Sequence, residues 1–289
     1  MFRRLIPLVV GIVVVVGCKK KDNSSGDGGD PNATYTIKIR EAQKGDKSMV
    51  VKTRSGSQTI TVGGQTLTQK EQEHFAYTES ILEIPADTLK PTKVTRAYTT
   101  AEKTDKGVLK PLSYANKTVT IEKKGATYSF TVDGKTLPLA ELVEFRNEFE
   151  KVDKSKIADL FPKHPVKVGE TWDIDLANIS ALIGSPQFTL DKEKSKVTGK
   201  FVRVFTKDGQ QWGVIEIKVE IAIAPGANGA SLTGTISSDI TIETAIDGSV
   251  YGRTMRVTGN GNISNLDPRK GETKISIEGS QEQSVTPMK

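Results

Sequence analysis

Ile215-Glu216-Ile217-Lys218-Val219-Glu220-Ile221-Ala222-Ile223 decides the fold class. Five branched aliphatic side chains alternate without a break with charged or small ones. In a β-strand this period of two produces one apolar and one polar face. The period returns after a turn from Pro225 to Gly229, where Ile236, Ile240, Ile242 and Ile246 alternate with Thr235, Asp239, Thr241 and Glu243. Asp247-Gly248 turns the chain again into residues 250–263, Gly271 precedes Ile275 and Ile277, and residues 196–206 supply a strand on the N-terminal side. The expectation is a meander of antiparallel strands of ~12–15 residues, which reach ~40–50 Å. Such strands twist, so their sheet has to curl around something.

The first half of the chain has the same β texture with more punctuation. Tyr35, Ile37 and Ile39 alternate with polar residues and are expected to pair with Met49-Val50-Val51 across a Gly45-Asp46 turn. A second pair, residues 58–62 and 65–68, is joined by Gly63-Gly64. Residues 73–84 fit two periods, one with Phe75, Tyr77 and Ile81 on one parity, the other helical through Leu67, Phe75, Thr78 and Leu82. Frequent threonines and aromatics, with Pro85 at the end, favour a strand with a bulge. Its partner is residues 93–100, in which Val94, Arg96 and Tyr98 share a face; residues 117–123 and 127–132 form a hairpin across Lys124-Gly125, closed by Asp133-Gly134.

The middle reads as helical. Pro138 suits a first turn, and Leu139, Leu142, Val143, Phe145, Phe149 and Val152 make a stripe wide enough to lie on a sheet. Shorter helices are expected at 155–161 and 176–183, separated by a proline-punctuated loop from Pro162 that enters a strand at Trp172. The fold class expected is mainly β with α+β character: a long-stranded, curled, half-barrel-like antiparallel sheet packed against one to three short helices. Residues 34–289 form a single domain, with N-terminal strands at 34–135, a helical insertion at 136–184 and the C-terminal meander at 186–289.

The N-terminus has the three parts of an export signal, and residues 1–17 are expected to be removed: a basic Met1-Phe2-Arg3-Arg4, an apolar run from Leu5 to Val16, and small residues before Cys18. That run is 12 residues, against the ~20 a membrane-spanning helix needs. Val15-Val16-Gly17-Cys18 resembles the lipobox of bacterial lipoproteins. The resemblance implies cleavage before Cys18 and diacylglycerol on its thiol. With a further chain on the new amine, this is an anchor that holds a protein stably at the membrane of the cell envelope. Because Lys19 stands where an aspartate would favour inner-membrane retention, the resemblance implies the outer membrane. Residues 18–33 are then the lipidated cysteine and a flexible tether. Lys19-Lys20-Lys21 either gains about 1 kcal/mol per cation on an anionic leaflet or simply solvates the tether.

Long meandering strands around a few helices, behind a lipobox, resemble the half-barrel lipoproteins of the LolA/LolB and LppX type, which hold acyl chains between sheet and helices. That resemblance implies a lipid or other hydrophobic ligand, with Ile215, Ile217, Val219, Ile221, Ile240, Ile242 and Val257 lining the concave side of the sheet. The helix from Leu139 would plug or lid the cavity. The same face can instead close as a core without a ligand. Tyr77 to Glu83, Pro91 to Tyr98 and Pro165 to Trp172 also resemble bacterial lipoproteins that carry a tyrosine-rich strand pair and a later PVKVGDTW-like segment, with Glu170 in place of the commoner aspartate. This second resemblance implies fold and location only.

Little in the chain points to catalysis. His74 and His164 lie in different halves, and Gly-x-Ser-x-Gly does not occur. Asp173 and Asp175 are expected on one strand face, without the third acid a cation site would need. No metal or cofactor is expected. The net charge of +6, less Arg3 and Arg4 after cleavage, is dispersed, so no nucleic-acid partner is expected. The function expected is a non-catalytic binding or scaffolding role at the envelope, carrying a hydrophobic ligand or acting as a protein–protein interaction module with a closed core.

Overall fold

The computed structural model describes residues 30, 32–86, 88, 90–150, 157–178, 189–225, 232–267 and 271–288. Cys18, nearly all of the tether, Val152, most of the expected 176–183 helix and most of the Pro225–Gly229 turn lie outside these residues. The strands of the first half are β1 (Thr34–Tyr35), β2 (Lys47–Val62), β3 (Gln65–Glu83), β4 (Lys93–Asp105), β5 (Val108–Pro111), β6 (Thr118–Lys124), β7 (Thr127–Val132) and β8 (Lys135–Thr136). Helix α1 (Leu139–Phe149) and a 3-10 turn (Ile157–Leu160) follow. The second half contributes β9 (Val166–Lys167), β10 (Thr171–Asp173), β11 (Thr189–Lys207), β12 (Gln210–Ala224), β13 (Leu232–Ala245), β14 (Arg253–Asp267) and β15 (Gly271–Pro287).

Thirteen strands make one open antiparallel sheet in the order β10-β11-β12-β13-β14-β15-β2-β3-β4-β6-β7-β8, with β5 beside β4. The fold is mainly β, as the period-two pattern indicates. The N-terminal half differs from expectation in where its strands begin and end and in the pairing of β1. Residues 47–62 are a single strand pairing with β15 on one side and β3 on the other, whereas β1 pairs with β9. The stretch from Thr53 to Ser57 lacks apolar residues, so the period fades there. Neighbouring ladders on both sides keep it extended. Residues 65–83, expected as separate strands at 65–68 and 73–84, are one strand, with register irregularities against β4 at Ala76/Tyr77 and Ile81/Glu83.

Helix α1 buries a narrower stripe than its sequence suggests. Leu142, Phe145 and Phe149 face the sheet, while Leu139 and Val143 are exposed. The stretch expected as a helix at 155–161 is a 3-10 turn in its described part.

Two apolar clusters form. The first joins β11 to β15 with Tyr35, Ile37, Leu160, Phe161, Val166 and Ile174. The second joins Val50, Phe75, Tyr77, Tyr98, Ile121 and Phe130 with the α1 stripe. Its rings form a chain from Tyr77 through Tyr98 and Tyr114 to Phe145, with centroids 4.8–5.4 Å apart. Contacts at this range add to the area buried.

The segment from Pro165 to Trp172 acts as a strap over the first cluster. Val166 is fully buried and pairs with Tyr35, Gly169 turns the chain at φ 88°, and the Trp172 indole N–H donates to the Leu160 carbonyl at 2.9 Å. Gly199 lies under that indole, so close that a β-carbon there would come within 2.5 Å of ring atoms. Gly199→Ala is therefore expected to cost about 1–3 kcal/mol through overpacking. It should also quench or shift Trp172 fluorescence, which a denaturant titration reading that signal will register.

Candidate functional site

Registered rows across the sheet mark where apolar surface ends and polar surface begins. Ile217, Ile240, Val257, Gln281, Arg54, Glu73 and Lys103 stand directly opposite one another on successive strands from β12 to β4. Opposed residues share a face, so one line runs from the first cluster into a charged strip. A neighbouring row adds Gln283 and Lys52 before it reaches Phe75. The polar strip therefore lies between the two cores on the same side of the sheet.

Three cations and two carboxylates meet in this strip. Lys103 Nζ sits 2.7 Å from Glu73 Oε1, and Arg54 Nη1 lies 3.8 Å from Glu73 Oε2. Lys52 Nζ reaches Glu144 of α1 at 2.7 Å and stands over the Phe75 ring. The Glu73 side chain is 2% exposed, and its Oε2 has no hydrogen-bond partner. Burial pushes its carboxyl upward, but the Lys103 bond and the charges of Lys103, Arg54 and Lys52 outweigh that and hold it below the ordinary value. The group is thus ionised and oriented by its neighbours.

A second ionic cluster ties α1 to the sheet. Arg96, 6% exposed, donates Nε–H to Glu79 at 2.8 Å and both terminal nitrogens to the Glu148 carboxylate, one of them at 3.0 Å. Its guanidinium stacks between Tyr77 and Phe149, 4.8 and 5.1 Å from their centroids. Desolvation raises the Glu148 carboxyl, and the Arg96 charge more than reverses this, leaving it below its ordinary value. Burial pushes Tyr77 and Tyr98 well above theirs.

The residues singled out from sequence fall in several places. Ile215, Ile217, Val219, Ile221 and Ile242 are at most 3% exposed and packed in the first cluster, whereas Ile240 and Val257 are half-buried, Val257 standing opposite Gln281. Asp173 and Asp175 do not share a strand face. β10 ends at Asp173, and Asp175 instead turns the next segment, accepting from the Ala177 N–H at 2.8 Å. His74 faces Glu102 at 3.8 Å and His164 faces Glu170 at 3.5 Å, both pairs near the surface. Among the described residues no group of three or more His, Cys, Asp or Glu side chains has metal-site spacing, and no helix is long and apolar enough to cross a membrane.

Sequence reasoning missed Arg54, Glu73, Lys103 and Glu148. A signal was available for two of the residues involved: Glu73 shares the parity of Phe75 and Tyr77, and Arg96 that of Val94 and Tyr98. A charge on an apolar strand face calls for a buried partner. In comparisons with known proteins, no family model and no curated protein matches the chain.

Proposed function

We propose that this protein is a lipid-anchored component of a bacterial envelope, whose folded domain is a non-catalytic binding module with closed cores. The observation that carries the domain's role is the packing of Ile215, Ile217, Val219, Ile221 and Ile242 against the chain's own strap and N-terminal segment. A face filled by its own side chains has no room for an acyl chain. The anchor rests on the lipobox-like Val15-Val16-Gly17-Cys18. Recognition would then use the outside of the sheet, its edges and the charged strip.

A carrier of hydrophobic ligands is the second reading. It draws on a cleft of about 440 Å³ beside Leu176, Ala177 and Leu190, with Asp175 and Lys192 also lining it. That volume is within the range of small-molecule sites. Native mass spectrometry of the protein extracted from its host separates the two. Protein free of bound lipid, with no uptake of a fluorescent fatty acid, is the expected result, and a stoichiometric acyl ligand overturns the closed-core reading. For the anchor, Cys18→Ala is expected to abolish incorporation of radiolabelled palmitate, and persistent labelling would refute it.

A further inference from the structure

The tip of the β2–β3 hairpin has an open side. β3 pairs with β2 from Gln65 to Ser80, but its ladder with β4 begins only at Glu73, opposite Lys103. At Gln72 the Thr104 hydroxyl takes over, accepting from the backbone N–H at 2.8 Å and donating to the carbonyl at 3.2 Å. From Gln65 to Glu71, β3 pairs with no strand on this side among the described residues, and every one of these residues is exposed. Because Gln72 faces the open side, strand alternation directs the N–H and C=O of Thr66, Thr68 and Lys70 the same way. Edge strands are ordinarily blunted by proline, bulges or repeated charge. This one has a single lysine and no proline, and side-chain bonds from Thr59 to Thr68 and from Thr61 to Thr66, each 3.1 Å, tie it to β2.

We propose that this edge pairs antiparallel with the same edge of a second copy of the chain, about a two-fold axis at Thr68, so that two sheets become one. In that register Thr68 meets its own counterpart and Thr66 meets the second copy's Lys70. The backbone groups of Thr66, Thr68 and Lys70 are then all bonded. Like charges are not opposed, since Lys70 faces Thr66 and Glu71 faces Gln65. Leu67, 57% exposed, comes diagonal to its counterpart, within reach of long side chains. A second copy fits this edge because the stretch is self-complementary in backbone donors and acceptors and in charge, which is what an isologous contact requires. A highly charged partner would find only one lysine and one glutamate to match. The inference deepens the binding-module reading and rests on it. Its experiment uses neither ligand nor acylation, so its failure leaves that reading standing.

The full chain carrying Cys18→Ala, purified in detergent, is examined by sedimentation equilibrium. The expected result is a concentration-dependent dimer. Thr68→Pro, which removes the central N–H from the open edge, should weaken dimerisation at least tenfold while leaving the circular dichroism spectrum unchanged. Thr68→Cys in the same background should cross-link on mild oxidation, because opposed bonded residues lie about 5.5 Å apart, within disulfide range. Thr61→Cys, one strand inward, should not. The cross-linking pair decides the matter if the proline variant misfolds. A monomer at all concentrations, equal cross-linking at both positions, or capture of a different protein by the Thr68→Cys chain would overturn the proposal.

Discussion

Arg96→Ala is expected to lower the unfolding free energy by about 3–5 kcal/mol, the range for removing one partner of a buried ion pair. Three losses coincide at that position. Glu79 and Glu148 lose their shared cation, two aromatic faces lose the guanidinium between them, and α1 loses one of its charged ties to the sheet. Glu148 is about half exposed, so water will screen part of the damage on that side. Urea denaturation with its linear extrapolation measures the difference. The pH dependence has a defined sign. Glu148 and Glu73 are held below their ordinary value of 4.5 in the fold, so the unfolded chain binds protons more readily. Their stabilisation is complete above pH ~4.5 and is lost as pH falls through the folded values. Repeating the titration from pH 7 to pH 3 should narrow the gap between wild type and Arg96→Ala, because acid discharges the Glu148 partner in both. A constant gap would mean that packing, not charge, holds Arg96 in place.

The C-terminal meander was legible from sequence because its strict alternation continues from Ile215 to Ile223 with nothing to interrupt it. One-faced burial leaves that period, and the strands it marks lie in register with their neighbours over nearly their full lengths. The side-chain period alone divides β2 in two because Thr53 to Ser57 has no apolar residues. There the ladder bonds to both neighbours maintain the strand, and ladder bonds leave no trace in side-chain pattern. The apolar spacing of α1 overstates the width of its buried stripe for a related reason. Leu139 and Val143 are at helical spacing, but the helix lies on the sheet along Leu142, Phe145 and Phe149 only. The Arg96–Glu148 tie spans 52 positions of sequence, and the Lys52–Glu144 tie spans 92. No local spacing rule reaches that far. The PVKVGETW stretch was visible as a motif, but its purpose required the fold: Gly199 and the Leu160 carbonyl, which receive its tryptophan, lie outside the motif itself.

Ile217→Ala separates a closed core from a ligand site in a single substitution. Ile217 has no exposed surface, faces Ile240 across the ladder and sits in the first cluster with the strap and the N-terminal segment. In a closed core the truncation leaves a void that the surrounding strands fill only in part, and the expected cost is about 2–5 kcal/mol. The melting temperature should drop while any weak binding of an acyl-chain probe stays at its wild-type level. In a carrier the same residue would line the ligand's path, and its wall would be solvated or lipid-filled when the ligand is absent or present. Truncation would then cost less stability and would change probe affinity measurably. Ile240 and Val257 sharpen the comparison because they lie on the same face but are half-buried, on the side of the row that leads to Gln281. Ile240→Ala should cost less than Ile217→Ala in the closed core, following the apolar area each removes from water. Equal costs at the two positions would imply that something other than the chain covers Ile240 in solution.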